Sequence, residues 1–161
     1  IEIADIGCGY GALANYLSLR NDINFLSYEG YDISPELINE CNKRISFGWA
    51  RFQEGFKPRR TMPFSIMSGT YNLAATKDVF AWENYIFECL KKCWSKTSKA
   101  MVFNLQISKR AKISESNIYF AEKNKIIETC VALFGPTRVI FDKDLPNDAT
   151  FSVINRSLVS S

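Results

Sequence analysis

A glycine-rich turn near the start of the chain has residue types that could hold a ligand. It comprises Asp5-Ile6-Gly7-Cys8-Gly9-Tyr10-Gly11-Ala12, between an alternating apolar segment and a helical pattern. Glycine lets the backbone approach a ligand closely and adopt conformations that are closed to residues with a side chain. A tight turn without a ligand produces the same spacing, so a second marker is required before a cofactor site is predicted.

The second marker is an aspartate at the end of the next predicted strand. Tyr28 to Asp32 has the pattern of a strand, and Asp32 is its last residue. A carboxylate at this position can accept hydrogen bonds from both hydroxyls of an adenosine ribose. The glycine turn and Asp32 together predict a site for an adenosine-containing cofactor.

Two classes of cofactor fit these two markers. Gly7-x-Gly9-x-x-Ala12 is compatible with a dinucleotide, whose pyrophosphate would lie at the helix N-terminus. The alternative is S-adenosylmethionine, which has no phosphate and carries an ammonium group that requires an acceptor. Asp5, two residues before Gly7, would place a negative charge near that ammonium and would repel a pyrophosphate. Asp5 therefore favours S-adenosylmethionine.

The chain contains no histidine, which excludes several kinds of catalysis. Histidine is the usual general base near neutral pH, so Ser-His-Asp and Cys-His mechanisms are excluded. The five cysteines include no CxxC pair of zinc-ribbon spacing, and we predict no metal site. Methyl transfer from a sulfonium is an in-line displacement that depends mainly on alignment, so it remains compatible with this composition. No catalytic residue is predicted.

Strand and helix patterns alternate along the chain. Strands are predicted at residues 1–6, 28–32, 51–54, 64–67, 99–105, 138–141 and 150–155, and helices at 12–19, 34–45, 78–93 and 118–134. Ser34 and Asp78 are predicted to cap the second and third helices, and the apolar stripe of the third helix is predicted to lie in the core. Alternating strands and helices with right-handed crossovers predict an α/β sandwich with a mostly parallel, doubly wound sheet.

The sequence resembles the class I S-adenosylmethionine-dependent methyltransferase family. The first motif of that family is an acidic residue, an apolar residue and Gly-x-Gly-x-Gly, and Asp5 to Gly11 fits it at every position. Tyr31-Asp32-Ile33-Ser34-Pro35 looks like the second motif. Met67-Ser68-Gly69-Thr70-Tyr71-Asn72 and Val102-Phe103-Asn104-Leu105 resemble the fourth- and fifth-strand segments of some members more loosely. The resemblance spans most of the chain, with high specificity in the first third.

This resemblance implies a fold, a cofactor and a set of site residues. The fold would be Rossmann-like, a mostly parallel sheet of seven strands whose antiparallel last strand lies beside the fifth. The cofactor would be S-adenosylmethionine, with Asp5 and the turn around its amino acid part, Asp32 on the ribose and Ile33 on the adenine. The cofactor-binding residues implied are Asp5, Gly7, Cys8, Gly9, Tyr10, Gly11, Asp32, Ile33, Ser68 and Gly69.

The chain also departs from the family pattern. Pro63-Phe64-Ser65 occupies the place near the fourth strand where the family usually has an acidic residue. After the third strand, Gln53 and Glu54 are the only polar candidates for the adenine contact. No Asn/Asp-Pro-Pro-aromatic segment follows the fourth strand, which weighs against methylation of adenine or cytosine bases. The prediction is a methyltransferase, with a binding or scaffold protein that lacks turnover as the alternative.

The methyl acceptor is the least determined part of this prediction. Four polar residues near the carboxyl ends of strands are expected to face it, namely Tyr71, Asn72, Asn104 and Tyr119. A net charge of +3 and 14% aromatic residues favour a small-molecule acceptor, followed by a protein side chain and then RNA. The basic runs 57–60 and 109–112 could contact phosphates, but solvated loops are commoner, so nucleic acid is not the expected partner.

Length and composition agree with a single domain. The chain has 161 residues, of which 47% are hydrophobic and 23% charged. The scattered cysteines indicate reduced thiols and a cytoplasmic protein, and no apolar run is long enough to span a membrane. Sheets of this kind normally have a segment before the first strand. We therefore expect one domain over residues 1–161. Whether residues before Ile1 complete the acceptor pocket stays open, as does the oligomeric state.

Overall fold

The computed structural model describes residues 1–20 and 27–155. Its strands are β1 (Glu2–Ile6), β2 (Ser27–Asp32), β3 (Ala50–Glu54), β4 (Met62–Met67), β5 (Thr97–Ser108), β6 (Lys112–Ile113), β7 (Tyr119–Glu122), β8 (Thr137–Phe141) and β9 (Asp148–Ile154). Its helices are α1 (Ala12–Ser18), α2 (Pro35–Arg44), α3 (Val79–Trp94) and α4 (Lys123–Leu133). Every predicted element has a counterpart, and the largest differences lie between β5 and α4.

The strands form one mixed sheet. Five of them lie in the order β3-β2-β1-β4-β5, and all of these neighbours are parallel. On the other side of β5, β9 is antiparallel to it, and β8 is antiparallel to β9. These seven strands confirm the predicted doubly wound sheet with its antiparallel last strand beside the fifth. Because β1 to β4 are parallel, the turns that follow them converge at one edge of the sheet.

A short β hairpin between β5 and α4 adds two strands that were not predicted. β7 is parallel to the last residues of β5, and β6 is antiparallel to β7. The helix predicted over 118–134 therefore begins only at Lys123. Tyr119 and Ala121 are fully buried and alternate with partly exposed neighbours, which is the periodicity of a strand. The extended end of β5 offers a pairing partner, and this tertiary interaction overrides the local helical pattern.

Two apolar clusters cover the two faces of the sheet. The larger one joins α3 and α4 to the sheet and includes Trp82, Ile86, Leu90, Met101, Phe103, Leu105, Ile126 and Phe151. The smaller one joins α1 and α2 to β1, β2 and β3 and includes Ile3, Ala14, Leu17, Tyr28, Ile38 and Phe52. Burying one large apolar side chain contributes about 1.5 to 3 kcal/mol, so the predicted core stripe of α3 is an important part of the stability.

Two of the helices begin at the predicted caps. The Ser34 hydroxyl accepts a hydrogen bond from the backbone N–H of Leu37 at 3.3 Å, and the Asp78 carboxylate accepts one from Ala81 at 3.1 Å. Each bond satisfies an N–H that the first turn of a helix leaves without a partner. Within residues 1–20 and 27–155, no helix combines the length and hydropathy of a membrane-spanning segment.

A loop joins β3 to β4 and carries the basic run 57–60. Arg60 lies 2.7 Å from a carboxylate oxygen of Glu2 and 2.7 Å from one of Glu29. The hydroxyl of Tyr31 donates to the same Glu29 carboxylate. Arg60, the last residue of this basic run, therefore holds the loop against β1 and β2.

Glu83 on α3 is a buried carboxylate that connects three elements. The Tyr119 hydroxyl of β7 donates to one of its oxygens at 2.9 Å, and the ammonium of Lys125 on α4 lies 2.6 Å from the other. Glu83 is only 5% exposed, and a carboxylate is tolerated at that depth because both oxygens have donors. The hairpin and α4 are thus held against α3 by one side chain.

Replacing Tyr119 with phenylalanine should lower the free energy of unfolding by about 1 to 3 kcal/mol, because a hydrogen bond to a buried ionised group is lost. Urea denaturation followed by circular dichroism measures this difference. Tyr10→Phe is the matched control, since Tyr10 is 63% exposed and its variant should stay within about 0.5 kcal/mol of the parent. Equal stabilities for the two variants would contradict the role assigned to Tyr119.

Candidate functional site

The glycine turn connects β1 to α1 through three glycines with positive φ. The φ values are 74° at Gly7, 54° at Gly9 and 75° at Gly11. The N–H of Gly7 donates to the carbonyl of Tyr31 at 2.7 Å, which draws the turn over the end of β2. A Cβ at Gly7 would lie 2.7 Å from the side chain of Thr70, and one at Gly11 would meet a side-chain atom at 2.4 Å. Backbone conformation and lack of space together require glycine at both positions.

Asp32 connects this turn to the next one. One oxygen of its carboxylate accepts a hydrogen bond from the N–H of Gly9 at 3.0 Å, and the other accepts one from the N–H of Ser34 at 3.0 Å. A carboxylate offers about four acceptor positions, so two remain after these bonds. Asp32 is buried but lines a cavity, and the remaining positions are available to hydroxyl groups of a ligand.

Asp5 lies behind the glycine turn and does not line that cavity. Its carboxylate accepts a hydrogen bond from the buried hydroxyl of Tyr28 at 2.5 Å. Burial raises the pKa of Asp5 to about 6; the bond from Tyr28 partly offsets this rise, and the charge of Asp32 adds to it. Any effect of Asp5 on a ligand would therefore act across the turn.

A cavity of about 630 Å³ opens at the edge where these turns converge, and we call it the first cavity. Its wall includes Gly7, Asp32, Ile33, Phe56, Thr70, Tyr71, Leu73, Trp82, Tyr85 and Cys89. The volume lies within the range of about 300 to 1,000 Å³ that is usual for ligand sites. Ile33 and Leu73 are 69% and 64% exposed, so each offers apolar surface to a ligand. Among the described residues of this wall, only Asp32 is acidic or basic.

Several residues of the first cavity were not predicted from the sequence. Gly55 and Phe56, directly after β3, line it, whereas the predicted contacts Gln53 and Glu54 do not. Trp82 lines it as well as belonging to the core, and its indole N–H donates to the carbonyl of Tyr71 at 3.2 Å. For Phe56, the signal available in the sequence was an aromatic residue next to the glycine that follows β3. For Trp82, a helical stripe does not distinguish a core residue from one that also faces a cavity.

The structure places the residues expected to bind the cofactor at different positions relative to the first cavity. Gly7, Asp32 and Ile33 line the first cavity, while Asp5, Cys8, Gly9 and Gly11 form the turn or lie behind it. Tyr10 projects into solvent. Ser68 lines a different cavity, and the N–H of Gly69 donates to the Asn104 side chain at 2.7 Å.

The residues expected to face the acceptor are also distributed. Tyr71 lines the first cavity, and burial raises the pKa of its hydroxyl. The side chain of Asn72 accepts a hydrogen bond from the N–H of Gln106 at 3.2 Å and so connects the segment after β4 to β5. Tyr119 is buried on Glu83, and Asn104 faces the other cavity. The structure does not bring these four residues into one pocket.

Comparison with known proteins supports the doubly wound α/β fold described above. No family model matches the chain. A candidate methyltransferase of Mycobacterium tuberculosis is 28% identical over 131 residues, which are 80% of this chain and 78% of that relative. Magnesium protoporphyrin IX methyltransferase from Synechocystis PCC 6803, solved with bound S-adenosylmethionine, matches with a TM-score of 0.64 at 13% identity, over 95% of this chain and 69% of that one. Human N-acetylserotonin methyltransferase, also solved with S-adenosylmethionine, matches with a TM-score of 0.65 at 15% identity, over 96% and 47%.

The raised pKa of Asp5 predicts a pH-dependent stability. The folded protein holds the Asp5 proton more tightly than the unfolded chain, whose aspartates titrate near about 4. Between about pH 4 and pH 6, raising the pH should therefore destabilise the fold, by up to about 3 kcal/mol in total. Asp5→Asn should remove this slope while keeping an acceptor for Tyr28.

Urea denaturation of the parent and of Asp5→Asn from pH 4 to pH 7 measures the slope. Tyr28→Phe removes the donor that favours the ionised form, so its slope should extend to higher pH than that of the parent. Parallel pH profiles for the parent and Asp5→Asn would show that Asp5 has an ordinary pKa.

Proposed function

We propose that this chain binds S-adenosylmethionine in the first cavity and transfers its methyl group to a small molecule. Its resemblance to the class I S-adenosylmethionine-dependent methyltransferases is confirmed by a relative and by its fold. The observation that carries this proposal is the combination of the glycine turn, the acceptor positions of Asp32 and the exposed Ile33 on one cavity wall. The matched relative and structures support the methyltransferase activity and the cofactor.

The residues of the first cavity fit this cofactor. Gly7 lines the cavity without a side chain, so a ligand can approach its backbone closely. Asp32 has acceptor positions for two ribose hydroxyls, and Ile33 with Leu73 offers apolar surface for an adenine ring. The cavity wall carries no lysine or arginine among its described residues, which disfavours a pyrophosphate.

S-adenosylmethionine supplies a methyl group on a positively charged sulfur, which a nucleophile can attack in line. The chain would contribute alignment, exclusion of water and a negative potential. Alignment alone can correspond to effective molarities of roughly 10⁵ M or more. Asp5 lies behind the turn and Asp32 lies on the cavity wall, bonded to the N–H of Gly9. Both carboxylates would favour a cationic cofactor.

The acceptor is proposed to be a small organic molecule. The matched structures are named for magnesium protoporphyrin IX and N-acetylserotonin, which are both of this class. One domain over residues 1–161 and a cytoplasmic location stay predictions.

A binding or scaffold protein without turnover is the second candidate. It is favoured by one observation, the lack of any acidic or basic residue other than Asp32 on the described wall of the first cavity. Incubation with methyl-labelled cofactor and a cell extract distinguishes the two, because an enzyme transfers label to an acceptor whereas a scaffold does not. Gly7→Ala, which forces a Cβ against Thr70, is the negative control.

Asp32→Asn should weaken the binding of S-adenosylhomocysteine by about five- to 150-fold, because charge-assisted hydrogen bonds to the ribose are lost. Isothermal titration calorimetry measures the affinity. Asp144→Asn, an exposed aspartate in the β8–β9 segment, is the matched control and should bind like the parent.

Ile33→Ala provides a second test of S-adenosylhomocysteine binding. Because the Ile33 side chain is mostly exposed, this substitution should leave the stability of the fold unchanged. It should weaken binding by about three- to tenfold through lost apolar contact. Tighter binding of NAD than of S-adenosylhomocysteine by the parent protein would overturn the proposed cofactor.

A further inference from the structure

A second cavity of about 680 Å³ lies at the same edge of the sheet, and the proposed function does not use it. It is lined by the ends of β4 and β8, the middle of β5, the start of β9 and the loop between β8 and β9. The residues that matter here are Ile66, Ser68, Val102, Asn104, Asp148 and Thr150. Val102 and Asn104 alternate along β5 with core residues of the α3 face, so they point to the opposite face of the sheet.

A chain of hydrogen bonds connects the second cavity to the first. The amide nitrogen of Asn104 donates to both carboxylate oxygens of Asp148, at 3.1 and 2.9 Å. The amide oxygen of Asn104 accepts from the N–H of Gly69 at 2.7 Å. The next residue, Thr70, lines the first cavity and donates to the carbonyl of Ile6 at 2.7 Å. Ser68 lines the second cavity and Thr70 lines the first, so the separating segment, residues 68–70, lies between the two cavities.

The separating segment has no side chain at Gly69. An added Cβ at Gly69 would meet no atom within 4 Å, so the space beside its backbone is open. A ligand that occupies the second cavity could thus extend past Gly69 toward a methyl group held in the first.

The lining of the second cavity defines the chemistry of such a ligand. Ile66 and Val102 supply an apolar floor, and the exposed side chains of Ile140, Phe141 and Leu145 supply an apolar rim. The carboxylate of Asp148 lies at the Asn104 end of the cavity, beside the separating segment. Its side-chain hydrogen-bond partners are neutral amide groups. Asp142 and Lys143 also line the cavity, so the formal charge of the lining remains negative.

We propose that the second cavity is the acceptor site of the methyltransferase and that it takes a small apolar amine, with the nitrogen on Asp148 and the hydrocarbon part on Ile66 and Val102. The binding of an amine rests on the second cavity alone. The methyl transfer to that amine rests on the proposed function as well.

The transfer balances without a further reactant. The bound ammonium gives one proton to Asp148, from which it passes to water. The nitrogen lone pair then forms the new N–C bond, and the C–S bond of the sulfonium breaks with its electron pair moving to sulfur. The products are a methylated ammonium and S-adenosylhomocysteine.

The test uses phenethylamine as the probe and phenethyl alcohol as its uncharged counterpart, with binding measured by ligand-observed NMR. The parent protein should bind the amine about tenfold or more tightly than the alcohol, because only the amine pairs with a carboxylate. Thr150→Tyr fills the cavity and should weaken amine binding about tenfold or more. Ser152→Tyr, two residues along the same strand and off the cavity wall, should bind like the parent. Asp148→Asn should remove the preference for the amine.

S-adenosylhomocysteine binding to the same proteins separates the two proposals. If the parent binds phenethylamine as expected but not S-adenosylhomocysteine, the amine site stands and the proposed function fails. If it binds S-adenosylhomocysteine but not phenethylamine, or if Thr150→Tyr and Ser152→Tyr bind the amine equally, the amine site is overturned. Unfolding midpoints near that of the parent establish that each variant is folded.

Discussion

The carboxylate of Asp32, with one backbone N–H on each oxygen, is the interaction on which the site depends. Gly9 and Ser34 belong to different turns, and their bonds to Asp32 fix the glycine turn relative to the start of α2. Charge-assisted bonds of this kind are about twice as strong as neutral ones. Because a carboxylate has more acceptor positions than these two bonds use, the same group can shape the turn and still bind a ligand.

The distribution of charge explains why the first cavity suits a cationic ligand with an apolar body. Its described wall is mainly apolar and aromatic, with Asp32 as the charged residue, while Asp5 remains behind the turn on the hydroxyl of Tyr28. Burial is the main cause of the raised pKa of Asp5, and the negative charge of Asp32 adds to the cost of ionising it. A bound cation would reduce this cost, so cofactor binding and the ionisation of Asp5 are coupled.

The segment after β4 is the structural link between the two cavities. Thr70 connects it to β1, while Gly69 and Asn72 connect it to β5 through Asn104 and the backbone of Gln106. The polar residues expected to contact an acceptor are therefore partly used to hold this segment in place. Positioning and recognition therefore involve the same small set of hydrogen bonds, and Asn104 connects the separating segment to the carboxylate of Asp148.

The features that local chain geometry controls could all be predicted from the amino-acid order, namely the glycine turn, Asp32 at the end of β2, the Ser34 cap and the alternation of strands and helices. Each depends on neighbours within a few positions, whose spacing is visible in the sequence. The amino-acid order did not predict the hairpin of β6 and β7 or the position of Phe56 at the first cavity. It also did not predict where Asn104 and Tyr119 lie. Their surroundings come from strands and helices distant in sequence, and a polar side chain near a strand end shows neither which face it lies on nor which partner saturates it. β5 extends beyond β4, and this pairing of distant segments, rather than any local propensity, created β7 and buried Tyr119 on Glu83.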